Sequence, residues 1–455
     1  MDDIGDIAPR SPWLAQLAPD APPRPLVDDT TTDVAVVGAG IAGVATAFFT
    51  LRSTSRRLLL IERDRVGRGA TGHNAGQLTT YFERPLHRIA NQFGLDLAVA
   101  AQGGIDGAHE LLDLMCAESG ADVRIERFTG RMGMFALDHI DVHLRDNAVR
   151  RAGGLAVRDC AVSEDAPFLR EIPIEFDGLY RVVPQAEIRA LLEVDDDRYC
   201  AVLSEPKGCA NSALLVQQVL AYLERTYPDR FRYADHTLVD RIVLDEDGAV
   251  LRTHAASARA ESVVLCTNGF VDHVVELASG ERVPLPVGRE VQSTIGYMSA
   301  FFEQERRRAT AMSYIRNDVI GADTPYVYIT RRTYDVGGSS RTLTCMGGPE
   351  HEIDGTGYDG TTPCPGAMVK HMDDVLRPYA QRHRPAGVPF DFAWHGLMGY
   401  SDDRVRLVGR DPRHPALHYN LGCNGIGFLP SIYGGERISR LLAGQHLEPS
   451  IFDPR

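Results

Sequence analysis

The fold is decided by the stretch Val34-Ala35-Val36-Val37-Gly38-Ala39-Gly40-Ile41-Ala42-Gly43, in which a short apolar run leads directly into spaced glycines. Apolar residues at helical spacing continue to Leu51, and a second apolar run, Leu58 to Ile61, ends in Glu62. A strand, a tight turn, a helix and a second strand are therefore expected in this order. Together they make a β-α-β unit of about 30 residues, which is typical of an α/β fold.

The glycines and the acid of this unit predict a dinucleotide site. Gly38, Gly40 and Gly43 fit the pattern G-x-G-x-x-G, which provides a tight turn, close approach of backbone to a pyrophosphate and close packing of helix on strand. The N-terminus of the helix would face the phosphates. Glu62 follows Gly43 by 19 residues, where a carboxylate accepts hydrogen bonds from ribose hydroxyls. The pattern does not distinguish NAD from FAD, because both present an ADP half.

Length and composition limit the remaining possibilities. With 455 residues, the chain is long enough for two domains, and its formal charge of −14 disfavours nucleic acid and anionic membranes as partners. The eight cysteines show no spacing typical of metal ligands, so no metal site is predicted. No apolar run approaches about 18 residues and the acidic N-terminus does not resemble a signal peptide, so we expect a cytoplasmic protein with reduced thiols.

A second segment of small residues follows Glu62 almost directly. It runs from Gly67 to Gln77 and reads GRGATGHNAGQ. Together with the first turn it resembles the superfamily of FAD enzymes that contains D-amino-acid oxidase, glycine oxidase, sarcosine oxidase and γ-glutamylputrescine oxidase, and the pattern is nearest to members of the last type. In that family, such a segment passes along the pyrophosphate and the isoalloxazine ring. The resemblance therefore selects FAD as the cofactor.

Further segments match the same family in the expected order. Residues 263–269 (VVLCTNG) are similar to the strand that ends beside the adenosine half, and Val239 stands where the family places a valine against adenine. Residues 394–409, beginning with Trp-His-Gly-Leu, resemble the segment that carries the conserved tryptophan of the family pattern. Residues 422–427 (GCNGIG) resemble the turn under the flavin pyrimidine ring, whose backbone amides stabilise negative charge on reduced flavin.

The resemblance implies an α/β fold with a Rossmann-like FAD-binding domain of discontinuous segments and a β-sheet-based substrate domain. The implied divisions are an N-terminal arm at 1–30 laid on the surface, an FAD-binding domain at 31–118, 200–285 and 365–455, and a substrate domain at 119–199 and 286–364. The residues expected to bind FAD are Gly38, Gly40, Ile41, Ala42, Gly43, Glu62, Arg63, Gly69, Ala70, Thr71, Gly72, His73, Asn74, Ala75, Gly76, Gln77, Val239, Thr267, Asn268, Gly269, Gly399, Gly422, Asn424, Gly425, Ile426 and Gly427.

The chain departs from its relatives where they bind the substrate carboxylate. Relatives that oxidise α-amino acids place an arginine where this chain has Met398, and sarcosine oxidase places a lysine where it has Leu429. The substrate is therefore expected to be an amine, or an amino acid held differently. The candidates for a different carboxylate partner are Arg331, Arg332 and Arg84, which base rates favour as solvated surface residues instead.

Four residues are candidates for a catalytic role beside the flavin ring, namely His73, His395, Asn424 and Tyr328. Dimethylglycine-oxidising relatives carry a histidine near the place of His73 that bonds covalently to the flavin 8α carbon. A hydrogen-bonding or gating role and a plain packing role are the alternatives for His73. Tyr326 and Tyr328 alternate on a predicted strand and would line the pocket or serve only as sheet residues.

The predicted reaction is oxidation of a C–N bond in a small amine or amino-acid-like substrate. The α C–H would transfer a hydride to flavin N5 and the resulting imine would hydrolyse, which needs positioning more than acid-base help. Dioxygen or another acceptor would take up the electrons. Two other classes stay open at this point: a flavin-dependent monooxygenase, and a binding protein that FAD stabilises without turnover.

Overall fold

The fold is taken from a computed structural model. It describes residues 5–270, 273–283, 292–317, 326–353, 358–380, 390–401 and 403–455. The domain boundary predicted between 285 and 286 lies outside the described residues, as does the start of the second predicted β-rich stretch, 286–291.

The first β-sheet has the β-α-β unit at its centre. Its strands, numbered like all elements in chain order, are β1 (Thr30–Val37), β2 (Leu58–Ile61), β8 (Phe231–Ala234), β9 (Val239–Asp245), β10 (Gly248–Thr253), β11 (Ser257–Leu265), β12 (Val274–Leu277), β18 (Leu407–Arg410) and β19 (Leu417–Leu421). Strand β1 pairs in parallel with β11 on one side and β2 on the other, and β2 pairs in parallel with β8. Strand β19 joins β11 in parallel, so the last part of the chain returns to the first sheet.

The second sheet is mixed and is built mostly from the middle of the chain. Its strands are β3 (Gln77–Leu78), β4 (Glu126–Met134), β5 (Asp159–Ser163), β6 (Arg181–Val183), β7 (Ala201–Cys209), β13 (Gln292–Phe302), β14 (Thr310–Ile315), β15 (Tyr326–Val336), β16 (Ser339–Ile353) and β17 (Phe392–Tyr400). Strands β17, β13, β16, β15 and β14 follow one another with antiparallel neighbours. Two sheets with intervening helices confirm the predicted α/β class.

The helices connect and cover these sheets. They are α1 (Ile41–Ser53), α2 (Leu86–Phe93), α3 (Leu95–Asp106), α4 (Ala108–Ser119), α5 (Leu137–Ala152), α6 (Gln185–Leu192), α7 (Ser212–Thr226), α8 (Gly366–Ala380) and α9 (Phe428–Leu442). Helix α1 is buried from Ile41 to Leu51, because α9 packs against it. Gly435 allows that close packing, since a Cβ there would lie 2.7 Å from Thr46 N. None of the helices in the described ranges is long and apolar enough to cross a membrane.

The second sheet also takes strands from segments that the sequence assigns to the FAD-binding domain. Strand β7, residues 201–209, pairs with β4 and β5, and β17, residues 392–400, pairs with β13. The boundaries predicted at 200 and 365 therefore do not coincide with the edges of the sheets, and the division into domains stays a prediction.

The turn between β1 and α1 depends on two glycines. Gly38 has φ +100°, a conformation that favours glycine, and its carbonyl oxygen lies 1.8 Å from where a Cβ on Gly43 would stand. A side chain at Gly43 would therefore force the helix away from the strand. Since the helix N-terminus follows this turn, the contact also fixes where α1 begins.

Replacing Gly43 with alanine should therefore destabilise the protein by at least about 2 kcal/mol, as overpacking does where the backbone must shift. Thermal and urea unfolding measure this effect. Gly103→Ala in helix α3 is the matched control. A Cβ at Gly103 would make only an ordinary contact with Leu155, at 3.8 Å. Equal unfolding midpoints for the two variants would contradict the account of this turn.

Candidate functional site

A cavity of about 930 Å³ is lined by segments from both sheets. On one side lie the end of β1, the start of α1 and the predicted segments around Thr71, Val239 and Thr267. On the other side lie residues of β13, β15, β16 and β17, among them Gly296, Tyr328 and Met398. The segments that the sequence predicted to share one ligand are thus brought together around one cavity.

One end of the cavity carries Glu62. Its Oε2 accepts a hydrogen bond from the backbone N–H of Ala39 at 2.7 Å, and its Oε1 accepts one from Asp64 N at 3.0 Å. Burial raises the pKa of Glu62 from its ordinary value, although these hydrogen bonds favour the ionised form. Arg63 stacks on the ring of Phe270 at 3.6 Å nearby. The carboxylate is therefore fixed at the end of β2, where ribose hydroxyls are expected.

The turn before α1 forms a cradle next to this carboxylate. Thr71 Oγ1 accepts a hydrogen bond from Ile41 N at 2.9 Å, and a Cβ on Gly40 would lie 2.9 Å from the same oxygen. Gly40, Ile41 and Ala42 all line the cavity. Bare backbone at a helix N-terminus fits a pyrophosphate.

The segment from Gly69 to Gln77 is held in place by the N-terminal arm. Trp13 Nε1 donates to the carbonyl of Asn74 at 2.5 Å, and a Cβ on Gly76 would lie 2.6 Å from the Trp13 ring. Ser11 Oγ donates to Gly72 O at 2.5 Å. Trp13 is fully buried and meets Trp394 edge to face. The expectation that this part of the arm lies on the surface is therefore wrong, because its tryptophan fills a gap between the segment and β17.

The turn at 422–427 closes the cavity from the other side. Gly422, Asn424 and Gly425 all have positive φ, and Asn424 N donates to Gly399 O at 2.9 Å. The side chain of Asn424 accepts a hydrogen bond from Ser401 N at 2.7 Å. The amide of Asn424 holds the turn, and Asn424 is not among the residues that line the cavity, so its role beside the ring stays a prediction.

His73 lines the cavity as predicted. Its Nδ1 lies 3.0 Å from Gly69 O, and burial lowers the pKa of the ring, which favours its neutral form. Because a carbonyl oxygen only accepts, Nδ1 carries the proton in this contact. The His73 carbonyl lies 2.3 Å from where a Cβ on Gly396 would stand, so only glycine fits at that point of β17. Whether the ring bonds covalently to a cofactor stays a prediction.

His395 is placed differently from the expectation. Its Nε2 lies 2.8 Å from Thr362 O, and its ring packs near Tyr297 and Tyr358. Side chains alternate along a strand, so His395 points away from the face that carries Met398. His395 is not among the residues that line the cavity, and its candidate role beside the ring stays a prediction.

The arginines considered as carboxylate partners also lie elsewhere. Arg331 is buried and pairs with Glu303 and Glu193, each at 3.1 Å. Arg332 is buried over the Trp13 ring, and Arg84 bonds to Asp403 O at 3.2 Å. None of the three lines the cavity. Leu429 is also buried in the core, whereas Met398 does face the cavity.

The predicted FAD-binding residues divide into two groups. Those that line the cavity are Gly38, Gly40, Ile41, Ala42, Glu62, Arg63, Gly69, Ala70, Thr71, His73, Asn74, Ala75, Gly76, Gln77, Val239, Thr267, Asn268, Gly425, Ile426 and Gly427. The others lie behind it and shape the turns, namely Gly43, Gly72, Gly269, Gly399, Gly422 and Asn424.

A cluster of acidic and aromatic residues in the cavity was missed by sequence reasoning. It is called here the acidic aromatic pocket, and its members are Tyr81, Glu83, Tyr326, Tyr328, Glu350 and Tyr400. Only the pair Tyr326 and Tyr328 was a candidate, and both rings line the cavity with centroids 6.0 Å apart. The alternation of Tyr81 and Glu83 was the one local signal, since residues two apart share a face of an extended chain.

Known proteins resemble this chain in sequence, and others resemble it in fold. Residues 33–441 match the DAO family model, described as "FAD dependent oxidoreductase". Gamma-glutamylputrescine oxidoreductase of Escherichia coli (strain K12) is 36% identical over 432 residues, which cover 93% of this chain and 86% of that protein.

Two solved structures share the fold at low identity. Glycine oxidase from Geobacillus kaustophilus superposes with a TM-score of 0.66 at 17% identity, covering 93% of this chain and 98% of that one. L-Proline dehydrogenase from P. horikoshii gives a TM-score of 0.68 at 15% identity, covering 94% and 97%.

Because Trp13 supports the segment along the cavity, Trp13→Phe should weaken dinucleotide binding. Loss of the hydrogen bond to the half-buried carbonyl of Asn74 corresponds to about 1–3 kcal/mol, or about 5- to 150-fold in Kd. Trp13→Ala, which also removes the ring, should weaken binding further. Titration of the apoprotein with FAD, followed by flavin fluorescence, measures the Kd.

The control for Trp13 is Ile140→Ala, a comparable loss of buried apolar surface in helix α5, remote from the cavity. It should lower the unfolding temperature without changing the Kd for FAD. If the Trp13 variants also kept the original Kd, the supporting role of the arm would be refuted.

Proposed function

The chain belongs to the DAO family of FAD-dependent oxidoreductases, and from this premise we propose that its donor is an amine without a carboxylate beside the reacting carbon. Membership confirms the predicted cofactor, FAD, and the predicted activity, oxidation of a C–N bond in amine or amino-acid donors. The monooxygenase and binding-protein alternatives are therefore set aside. The choice between amine and amino acid rests on the cavity itself.

The observation that carries the proposal is the charge around Met398. The described cavity wall there contains Glu83 and Glu350 with tyrosines, so an α-carboxylate would meet negative charge. The arginines among the described lining residues are engaged elsewhere. Arg63 stacks on Phe270, Arg68 pairs with Asp20 at 2.8 Å, and Arg406 bonds to Asn420 and to Gly422 O.

The residues of the cavity fit FAD in the order that the family implies. Glu62 would hold the ribose, the start of α1 the pyrophosphate, and the segments at 69–77 and 422–427 the ring. When bound, FAD supplies the acceptor for the hydride of the donor's α C–H. The chain's own contribution is to orient the donor and to exclude water, with Met398, Tyr326 and Tyr328 as the walls.

His73 is proposed to act on the ring by hydrogen bonding. Its Nδ1 proton is committed to Gly69 O, so Nε2 offers a lone pair toward the cavity. Met398 leaves the floor beside Gly296 apolar, which favours a neutral amine at the reacting end. The relative from E. coli is a gamma-glutamylputrescine oxidoreductase, and we propose γ-glutamylputrescine as the first donor to test.

Anaerobic mixing with a panel of donors tests the proposal. Alkylamines and γ-glutamylputrescine should bleach the visible absorbance of the flavin, whereas glycine, sarcosine and D-alanine should bleach it at least about 100-fold more slowly. Such a ratio corresponds to about 2.7 kcal/mol, comparable to the unfavourable placement of one carboxylate. Faster bleaching by the amino acids would overturn the proposal. Admission of air then shows whether dioxygen reoxidises the flavin.

A further inference from the structure

Glu83 is a carboxylate in the cavity that has no partner among the described residues. Within the described ranges its side chain makes no hydrogen bond or ion pair. Its Oε2 lies 3.5 Å from where a Cβ on Gly425 would stand, and the Tyr400 hydroxyl lies 3.0 Å from the same point. Glu83 and Tyr400 therefore both lie close to Gly425 in the 422–427 turn, next to the proposed position of the flavin ring.

Glu350 lies on β16, two strands away from β17, which borders the proposed position of the flavin ring. It pairs with Gly296 of β13, and Gly296 pairs with Gly396 of β17, which touches His73. Strands lie about 4.8 Å apart, so Glu350 is roughly 10 Å from Gly396. The backbone of His73 packs directly on Gly396, and the methyl group of Met398 lies over Gly296, so this part of the cavity wall is flat and apolar. A short chain can thus extend along this wall from the ring toward the acidic side.

The tyrosines connect the two carboxylates. Burial raises the pKa of Tyr400 most, followed by the charges of Glu350 and Glu83. The pKa of Tyr328 is raised by burial, then by Glu350, Cys345 and Glu83. Glu83 is the largest cause that raises the pKa of Tyr326. The hydroxyls of Tyr81, Tyr326 and Tyr328 make no hydrogen bond in the part of the chain that the structure describes. They are open to a polar ligand.

Two positive charges of the described residues lie behind the rings of this pocket. Arg404 lies over Tyr400 at 5.4 Å, and Lys207 lies over Tyr81 at 5.1 Å and pairs with Glu205 at 3.3 Å. Neither residue lines the cavity. Carboxylates and aromatic faces together are the surroundings that an ammonium group prefers.

We propose that the acidic aromatic pocket binds a second ammonium group of the donor, so that the enzyme selects diamines and their derivatives over monoamines of equal length. Glu83 is the counter-ion and the tyrosines provide the aromatic faces. The inference rests on the proposed amine oxidation and adds to it a rule of substrate choice. Relatives place an arginine at the position of Met398 to bind a substrate carboxylate. In this chain, Glu83 lies nearby and would bind a substrate ammonium group instead.

Paired donors test the rule. Putrescine and cadaverine are compared with butylamine and pentylamine in anaerobic stopped flow, and the ratio of flavin-reduction rate to Kd is measured for each. The holoenzyme should favour the diamine by roughly 10- to 100-fold, because a hydrogen bond to a charged group is worth about 1.5–3 kcal/mol. In Glu83→Gln this preference should fall by at least about tenfold. Glu164→Gln, at an exposed site, is the matched control and should keep the preference.

Each outcome decides the question. If the monoamines lose as much as the diamines in Glu83→Gln, the carboxylate serves the reacting amine and the inference is wrong. If all amines bleach the flavin equally in the unaltered enzyme, the inference fails while the proposed function stands. If only α-amino acids bleach it, the proposed function fails first. Glu350→Gln gives a second variant if Glu83→Gln does not fold, and it should also lower the diamine preference.

The diamine preference should also depend on pH. Burial raises the pKa of Glu83 to about 7, against the lowering charges of Arg404 and Lys207. An alkyl ammonium, with a pKa near 10, stays charged throughout this range. The preference should therefore be present above about pH 7 and be lost as the pH falls through that value.

The ratio of diamine to monoamine removes the pH dependence of the reacting amine itself, which both donors share. In Glu83→Gln, the small remaining preference should be flat between about pH 6 and 8, because the carboxyl group to which the pH dependence is assigned is absent. A preference that rises as the pH falls would refute Glu83 as the counter-ion.

Discussion

The structure depends on the close approach of Gly43 to the carbonyl of Gly38. A distance of 1.8 Å to the missing Cβ means that only glycine lets α1 start directly at the end of β1. The N-terminus of α1 then faces the cavity, and the N–H of Ala39 reaches Glu62. The positions proposed for the pyrophosphate and the ribose follow from this contact, since both depend on where the turn leaves the strand.

The two sheets divide the work around one cavity. The first sheet positions β1, β2 and the turns that fit FAD, and its features are fixed by steric requirements on backbone. The second sheet supplies Met398, Tyr328 and Glu350, which line the cavity where the donor is proposed to bind. The N-terminal arm couples the two, because Trp13 bonds to the segment along the cavity and packs on Trp394 of β17. In the proposed function, cofactor retention and donor choice are thus assigned to different elements.

Local patterns made much of this predictable from sequence. The β-α-β unit, the segment at 69–77 and the turn at 422–427 are short stretches in which glycine and small residues have steric reasons, and their order indicated the family. The positions of His395 and Asn424 were not predictable, because motifs do not report which face of β17 or which side of a turn a side chain takes. Glu83 and Glu350 lie 267 positions apart and meet only through the fold.

The most direct test of the central claim is a crystal structure of the enzyme with FAD and a diamine, prepared anaerobically so that the donor is retained after reduction. The account predicts the flavin ring between His73 and the 422–427 turn, with one nitrogen of the diamine against the ring and the other within hydrogen-bond distance of Glu83. A ring bound elsewhere in the cavity, or a second nitrogen remote from Glu83 and Glu350, would contradict it.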